Sequence, residues 1–249
     1  MKYVFLHVPK TAGQFVHNKL MLLVGKENTS PVRVHSQGTE EEQYKDGYNL
    51  YSGHLDWSNL DLGSQDSFVF TILRDPRERI GSFYFYLLDK AKYMKKSELK
   101  LPENFGLQKI LEFDVDEYFF GGDERWNRFI LNHYDNFFTT YYSTKLFNGR
   151  GRRLALGTEG AMQKAVKNLS SLNGVYTISE LNVLEQDLTR LSGKEVDFGT
   201  GYVNGGPLPQ EQSRWNKLLS SLASDKNRTR MGNMVELDLN LFSQLNKSF

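Results

Sequence analysis

Two short segments carry side chains suited to gripping phosphate. The first is His7-Val8-Pro9-Lys10-Thr11-Ala12-Gly13-Gln14, which lies between the apolar run Tyr3 to Leu6 and a helical run from Phe15 to Val24, closed by Gly25. A strand that turns sharply into a helix leaves the first helical N–H groups without internal partners, and the helix dipole adds partial positive charge there. Lys10 supplies a full charge on a flexible stem and Thr11 a hydroxyl donor. Ala12 and Gly13 are small enough for an anion to approach the backbone. The second segment is Arg74-Asp75-Pro76-Arg77-Glu78-Arg79-Ile80-Gly81-Ser82, which follows the aromatic and β-branched run Ser67 to Leu73. An arginine at a strand end can fork two hydrogen bonds onto a phosphate, and the Ser82 hydroxyl can complete such a site. Pro76 suits the first turn of a helix starting near Arg77.

Apolar runs place strands at 2–8, 48–54, 67–73 and 174–178, with a short one near 32–35. Helical patterns cover 14–24, 77–95, 105–119, 123–137, 160–171, 180–191, 209–223 and 230–246. Leu181, Leu184, Leu188 and Leu191 keep helical spacing, so that helix buries one face. The alternation predicts an α/β fold whose mainly parallel sheet is covered on both faces. Both phosphate segments then stand at the carboxyl edge of the sheet, where such folds bind ligands. Residues 29–47 and 147–157 read as irregular. Gly199 to Pro209 reads as a loop, with Tyr202-Val203-Asn204-Gly205-Gly206 placed to close over a nucleotide.

The 249 residues suffice for one substantial core, so a single domain over 1–249 is expected. Hydrophobic content of 39% and charged content of 24% are those of an ordinary soluble globular protein. With a net charge of +1, attraction for an anion must come from local Lys and Arg placement, and a nucleic-acid partner is disfavoured. The absence of cysteine excludes disulfides and thiol catalysis. Neither a signal region nor a membrane-length apolar run is seen, which points to a cytoplasmic protein. No histidine pair has metal-ligand spacing and no G-x-S-x-G elbow occurs, so neither a metal centre nor a serine hydrolase is expected.

The first segment lacks the glycine of G-x-x-x-x-G-K-[ST], so it is not an ordinary triphosphatase loop. Together and in this order, the two segments resemble those of the sulfotransferases that use 3′-phosphoadenosine 5′-phosphosulfate (PAPS), in particular the carbohydrate-type branch. Pro9-Lys10-Thr11-Ala12-Gly13 looks like the 5′-phosphosulfate loop of that family, and Leu73 to Ser82 like its 3′-phosphate element. Weaker similarity continues through Thr144–Gly149 and Val175–Glu180 to Leu237-Asp238. The resemblance implies a P-loop-NTPase-like three-layer fold and transfer of a sulfuryl group to a hydroxylated acceptor, a saccharide or other hydroxylated metabolite, without metal. It implies donor contacts from Lys10, Thr11, Ala12, Gly13, Gln14, Arg74 and Ser82, with Lys10 also stabilising the departing phosphate. Family members commonly carry small hydroxyl residues after the loop glycine, where this chain has Gln14 and Phe15. That departure keeps a nucleotide-binding module without catalysis open as a reading. A kinase-like phosphoryl transferase is the third reading.

Acceptor activation calls for a general base, and histidine is the usual one near neutral pH. Among the five histidines, His54 ends a predicted strand in Tyr51-Ser52-Gly53-His54, between the two phosphate segments. From the residues alone it is either a base or a structural histidine bonded to a loop; the resemblance places the catalytic histidine there. His35, beside an irregular segment, is the reserve candidate. His7 lies in the first strand and is expected to buttress the phosphate turn, whereas His17 and His133 fall on helices as packing or surface residues. Arg150-Gly151-Arg152-Arg153 reads either as a grip for an anionic acceptor or as a solvated loop, and the loop is preferred. Phe83-Tyr84-Phe85-Tyr86 reads as helix packing. Asp75, Arg77 and Glu78 are expected to orient the turn through local ion pairs.

Overall fold

The computed structural model describes residues 1–62, 64, 66–199 and 213–245. They form two compact units: the described parts of Met1–Arg74 with Phe138–Val203, and those of Asp75–Phe137 with Asn204–Phe249.

The first unit is built on a sheet of β1 (Lys2–Leu6), β2 (Leu50–Gly53), β3 (Ser67–Leu73) and β4 (Gly174–Thr177), in the order β2-β1-β3-β4. All three pairings are parallel, with Phe5 level with Ser52 on one side and with Phe70 on the other. Parallel neighbours need crossovers, and helices α1 (Gly13–Val24), α6 (Phe137–Thr144), α7 (Arg150–Ser170) and α8 (Leu181–Ser192) supply the cover. The sheet alternation sends Tyr3, Phe5, Phe68, Phe70 and Ile72 to one face, where Val16 and Leu20 of α1 and Leu181, Leu184 and Leu188 of α8 bury them. Thr71 points to the opposite face. Its hydroxyl lies 2.7 Å from the Leu6 carbonyl and 2.7 Å from the Tyr142 hydroxyl of α6, and Asn168 of α7 donates to the Tyr142 carbonyl. Helices therefore sandwich a parallel sheet, as the alternation predicts.

The second unit is helical throughout its described residues: α2 (Pro76–Tyr93), α3 (Phe105–Glu112), α4 (Val115–Phe120), α5 (Glu124–Tyr134), α9 (Arg214–Ser220), α10 (Asp225–Asn233) and α11 (Glu236–Leu245). Its core is strongly aromatic, with Tyr84, Phe85, Tyr118, Phe119, Trp126 and Tyr134 buried around Ile80 and Leu218. Of the run Phe83–Tyr86, only Tyr86 is exposed, so packing is what the rest of the run does.

Several expected boundaries move, each for a local reason. β1 ends at Leu6 rather than residue 8, because the chain turns off at Pro9 into the loop. The strand expected near 32–35 is reduced to a single bridge between Val34 and His54, followed by a tight turn at His35–Gln37. The helix expected over 105–119 breaks where Asp114 caps a new one by accepting from Glu117 N–H. That over 123–137 stops at Tyr134 because Asp135 turns extended, and Asn136 follows with a left-handed φ of 48°. The one expected over 230–246 splits into α10 and α11 at Met234–Val235. Residues 147–157 are not irregular beyond Gly149: α7 begins at Arg150 and is kinked at Gly157, where φ is 69°. Arg150–Arg153 is thus helical rather than a solvated loop, and Arg153 is buried. The loop expected over Gly199–Pro209 lies, apart from Gly199, outside the described residues.

Candidate functional site

In the order β2-β1-β3-β4, β1 connects outward to β2 on one side, while β3 lies on the other. The point where the order reverses is the position at which parallel sheets open a crevice beyond their carboxyl ends. The turn between β1 and α1 emerges there. Two of its non-glycine residues, Lys10 (φ 70°) and Ala12 (φ 69°), are left-handed, a conformation that costs about 1–2 kcal/mol per residue. Between them Thr11 is fully buried and donates its hydroxyl to the Val8 carbonyl at 2.9 Å, so it braces the turn. Ala12 caps α1 without a side-chain hydrogen bond, leaving the helix's leading N–H groups without a capping side chain. Such a turn presents backbone donors to an anion.

Gly13 is needed for closeness rather than for backbone freedom. A Cβ built on it would fall 1.7 Å from Nε2 of His7, so the imidazole fills the space a side chain would take. His7 stacks on Phe5 (ring centroids 5.4 Å apart) and faces His54 at 4.7 Å. The parallel ladder explains this neighbour: Leu6 pairs with Gly53 and His7 N–H donates to the Gly53 carbonyl at 3.0 Å, which sets the next residues side by side. Burial, followed by the charges of His54, Arg33, His17 and Lys10, holds the His7 imidazole well below its usual basicity. His7 therefore supports the turn as a neutral ring.

His54 is half-buried at the end of β2. Its N–H donates to the Arg33 carbonyl and its carbonyl accepts from His35 N–H, both at 2.8 Å. Phe147 stacks between His54 (5.2 Å) and His35 (4.8 Å), and Nε2 of His35 lies 2.9 Å from the Asn148 side-chain nitrogen. Arg74, almost wholly buried just past β3, reaches Lys10: its Nη1 donates to the Lys10 carbonyl at a long 3.4 Å. The two phosphate segments thus meet at the switch point through Lys10 and Arg74. Gln14 is exposed on α1 and donates to Asn18 at 2.9 Å, while Phe15 meets Phe198 edge-on. Ser82 is buried on α2 of the second unit. On the same helix Asp75 caps the N-terminus and pairs with Arg77 at 2.8 Å. Glu78 bears electrostatically on Arg77 and also makes a long-range contact: it accepts from Ser213 Oγ at 2.6 Å and from the backbone N–H groups of Arg214 and Trp215 at 3.2 Å.

Arg33 was not singled out from sequence. Its backbone lies against the end of β2 so closely that a Cβ on Gly53 would come within 2.2 Å of the Arg33 carbonyl oxygen. Its charge also reaches His17, which is buried on α1 and whose pKa is pushed down to about 4 by burial first and Arg33 second. The sequence signals for this neighbourhood are the short strand expected near 32–35 and His35, and neither points to Arg33. Among the described residues no cluster of three or more histidines and carboxylates could hold a metal ion, and no helix is long and apolar enough to cross a membrane.

The parallel sheet opens at its switch point onto an uncapped turn with two left-handed residues, where the Arg74 guanidinium reaches the Lys10 backbone, and this is a P-loop-like α/β core. Residues 1–140 match the model of the sulfotransferase family, and the chain belongs to that family. It is accordingly a transferase of the sulfotransferase type, a family that generally uses PAPS as donor and a hydroxylated acceptor. No curated protein sequence matches it.

Proposed function

We propose that this protein transfers a sulfuryl group from PAPS to a hydroxyl of a saccharide or other hydroxylated metabolite. The observation that carries the reading is the meeting of Lys10 and Arg74 at the switch point, with His54 at the end of the neighbouring strand. The uncapped N-terminus of α1, the left-handed Ala12 and the buried Arg74 fit a donor with phosphate at both ends. In this reading the β1–α1 turn (Lys10, Thr11, Ala12, Gly13 and Gln14) holds the 5′-phosphosulfate and Arg74 holds the 3′-phosphate, a role that the family resemblance also gives to Ser82. Bound PAPS supplies an activated sulfuryl group on a good leaving phosphate. His54 takes the acceptor hydroxyl proton as the oxygen attacks sulfur in line, and Lys10 offsets charge on the phosphate oxygen as its bond to sulfur breaks. A general base contributes about 10²–10⁴-fold to such a step, and positioning supplies much of the rest. The neutral His7 beside His54 adds no second full charge to the pair.

Isothermal titration with the product nucleotide, 3′-phosphoadenosine 5′-phosphate (PAP), tests the donor site. Binding to the native chain and its loss in Arg74→Ala is the expected result. No binding, or unchanged binding in Arg74→Ala, refutes the assignment. His54→Ala is expected to keep PAP affinity and lose turnover by at least about 10²-fold; unchanged turnover removes His54 as the base.

A further inference from the structure

Helix α2 runs out at Tyr93 into a stretch that neither the donor site nor the base uses. Residues 86–101 carry five lysines (Lys90, Lys92, Lys95, Lys96 and Lys100) against Asp89 and Glu98. That is a net +3 in a chain whose total is +1, so the remainder is net negative. The stretch is anchored from its inner side. Ala91 is buried, Met94 and Leu99 pack against the aromatic core, and the Asn104 and Gln108 side chains donate to the Glu98 and Leu101 carbonyls at 2.8 Å and 3.3 Å. With these anchors turned in, all five lysines are exposed, and so are Tyr93 (84%) and Leu101 (44%). None of the five lysines forms an ion pair or a side-chain hydrogen bond among the described residues. Lys90 and Lys92 suit the C-terminal end of α2, but Lys95 and Lys96 stand at the start of the helical turn Lys96–Leu99, where the dipole opposes a cation. Helix stability therefore does not account for the cluster, and core packing does not account for a tyrosine left almost wholly in water. All five cations are lysines, compact point charges without the planar fork by which arginine recognises a single phosphate or sulfate. Such charges match a diffuse anionic surface. Tyrosine, with an apolar body and a polar tip, is a side chain that settles at the headgroup level of a bilayer.

We propose that the face around Tyr93 docks the protein on an anionic lipid bilayer, with the Tyr93 ring and Leu101 entering the headgroup layer and the lysines facing its acidic lipids. The proposal is independent of the donor and base assignments above. It is tested by co-sedimentation of the full chain with phosphatidylcholine vesicles prepared with and without phosphatidylserine. Binding is expected to be at least about tenfold tighter with phosphatidylserine and to be released by high salt. The combined variant Lys92→Gln, Lys95→Gln, Lys96→Gln is expected to lose at least about tenfold in affinity with an unchanged urea midpoint, since each lysine near such a surface is worth about fivefold. A second variant, Tyr93→Trp, reports on the ring itself: its fluorescence, taken as the difference from the native chain, is expected to shift to shorter wavelength on phosphatidylserine vesicles. Absence of vesicle binding, equal binding with and without phosphatidylserine, native affinity in the lysine variant, or an unshifted Tyr93→Trp emission overturns the proposal. Binding of heparin through the same lysines without binding of vesicles assigns the face to a soluble polyanion and overturns it as well.

Discussion

The contact between Gly13 and His7 makes a sharp prediction. An alanine at position 13 puts a methyl carbon 1.7 Å from His7 Nε2, 1.8 Å from Cδ2 and 2.1 Å from Cε1, which is to say on the ring itself. Restoring an ordinary carbon contact of about 3.5 Å requires the imidazole to retreat by roughly 1.8 Å. Phe5 and His54 occupy two of its sides, at 5.4 Å and 4.7 Å between ring centroids, so the retreat disturbs packing that the site depends on. Overpacking of this kind costs about 1–3 kcal/mol. The backbone does not resist alanine, since Gly13 has an ordinary helical conformation; free of the clash, the exchange would stabilise the helix by about 0.5–1 kcal/mol. The sign of Gly13→Ala therefore depends on His7. In urea unfolding, Gly13→Ala alone should destabilise, whereas in a His7→Ala background it should be neutral or stabilising, a coupling of about 1–3 kcal/mol. If Gly13→Ala costs the same in both backgrounds within about 0.5 kcal/mol, the ring does not occupy that space and the account of the turn is wrong.

Two further outcomes follow from buried groups. His17, with a pKa of about 4 in the fold against about 6.5 unfolded, binds its proton more readily in the unfolded chain, so its contribution to stability is complete above about pH 6.5 and is lost as pH falls towards 4. Between pH 7.5 and 5 that loss is about 2 kcal/mol, with His7 acting in the same direction; the urea midpoint of the native chain should fall relative to that of His17→Leu as the pH is lowered, and parallel pH profiles would contradict the assignment. Glu78→Ala removes the acceptor for Ser213 Oγ and for the N–H groups of Arg214 and Trp215, and should cost about 1–2 kcal/mol with faster amide exchange at the start of α9. Unchanged exchange at Trp215 would show that Glu78 does not cap that helix.

Local pattern revealed much of the architecture. Ser67–Leu73 is a strand because aromatic and β-branched residues fill a buried ribbon, and Leu181, Leu184 and Leu188 mark α8 by period alone. The uncapped turn at Pro9–Gly13 was legible from small residues between an apolar run and a helical run. Where local pattern failed, a short-range capping event or a long-range contact had outweighed propensity. Asp114 and the Asp135-Asn136 pair cut helices that periodicity would continue, and Arg150–Arg153 is helical although its charges suggest solvent. Glu78 follows directly on Arg77, its local charge partner, yet also accepts from the start of a helix more than a hundred positions away in sequence.

The sequence by itself determined that this chain has two strand-to-helix corners equipped for phosphate, because strand pattern, turn chemistry and helix onset are written within each short segment. Register was not so written. Pairing Leu6 with Gly53 and Phe5 with Phe70 brings His7 beside His54 and lets Arg74 reach Lys10; a slip of one residue would turn every strand side chain to the opposite face and separate those groups. Arg33 is the clearest case: it comes beside His54 only because Val34 bridges to His54, since pairing between separated strands is fixed by the packing of the whole sheet and leaves no mark in either segment alone.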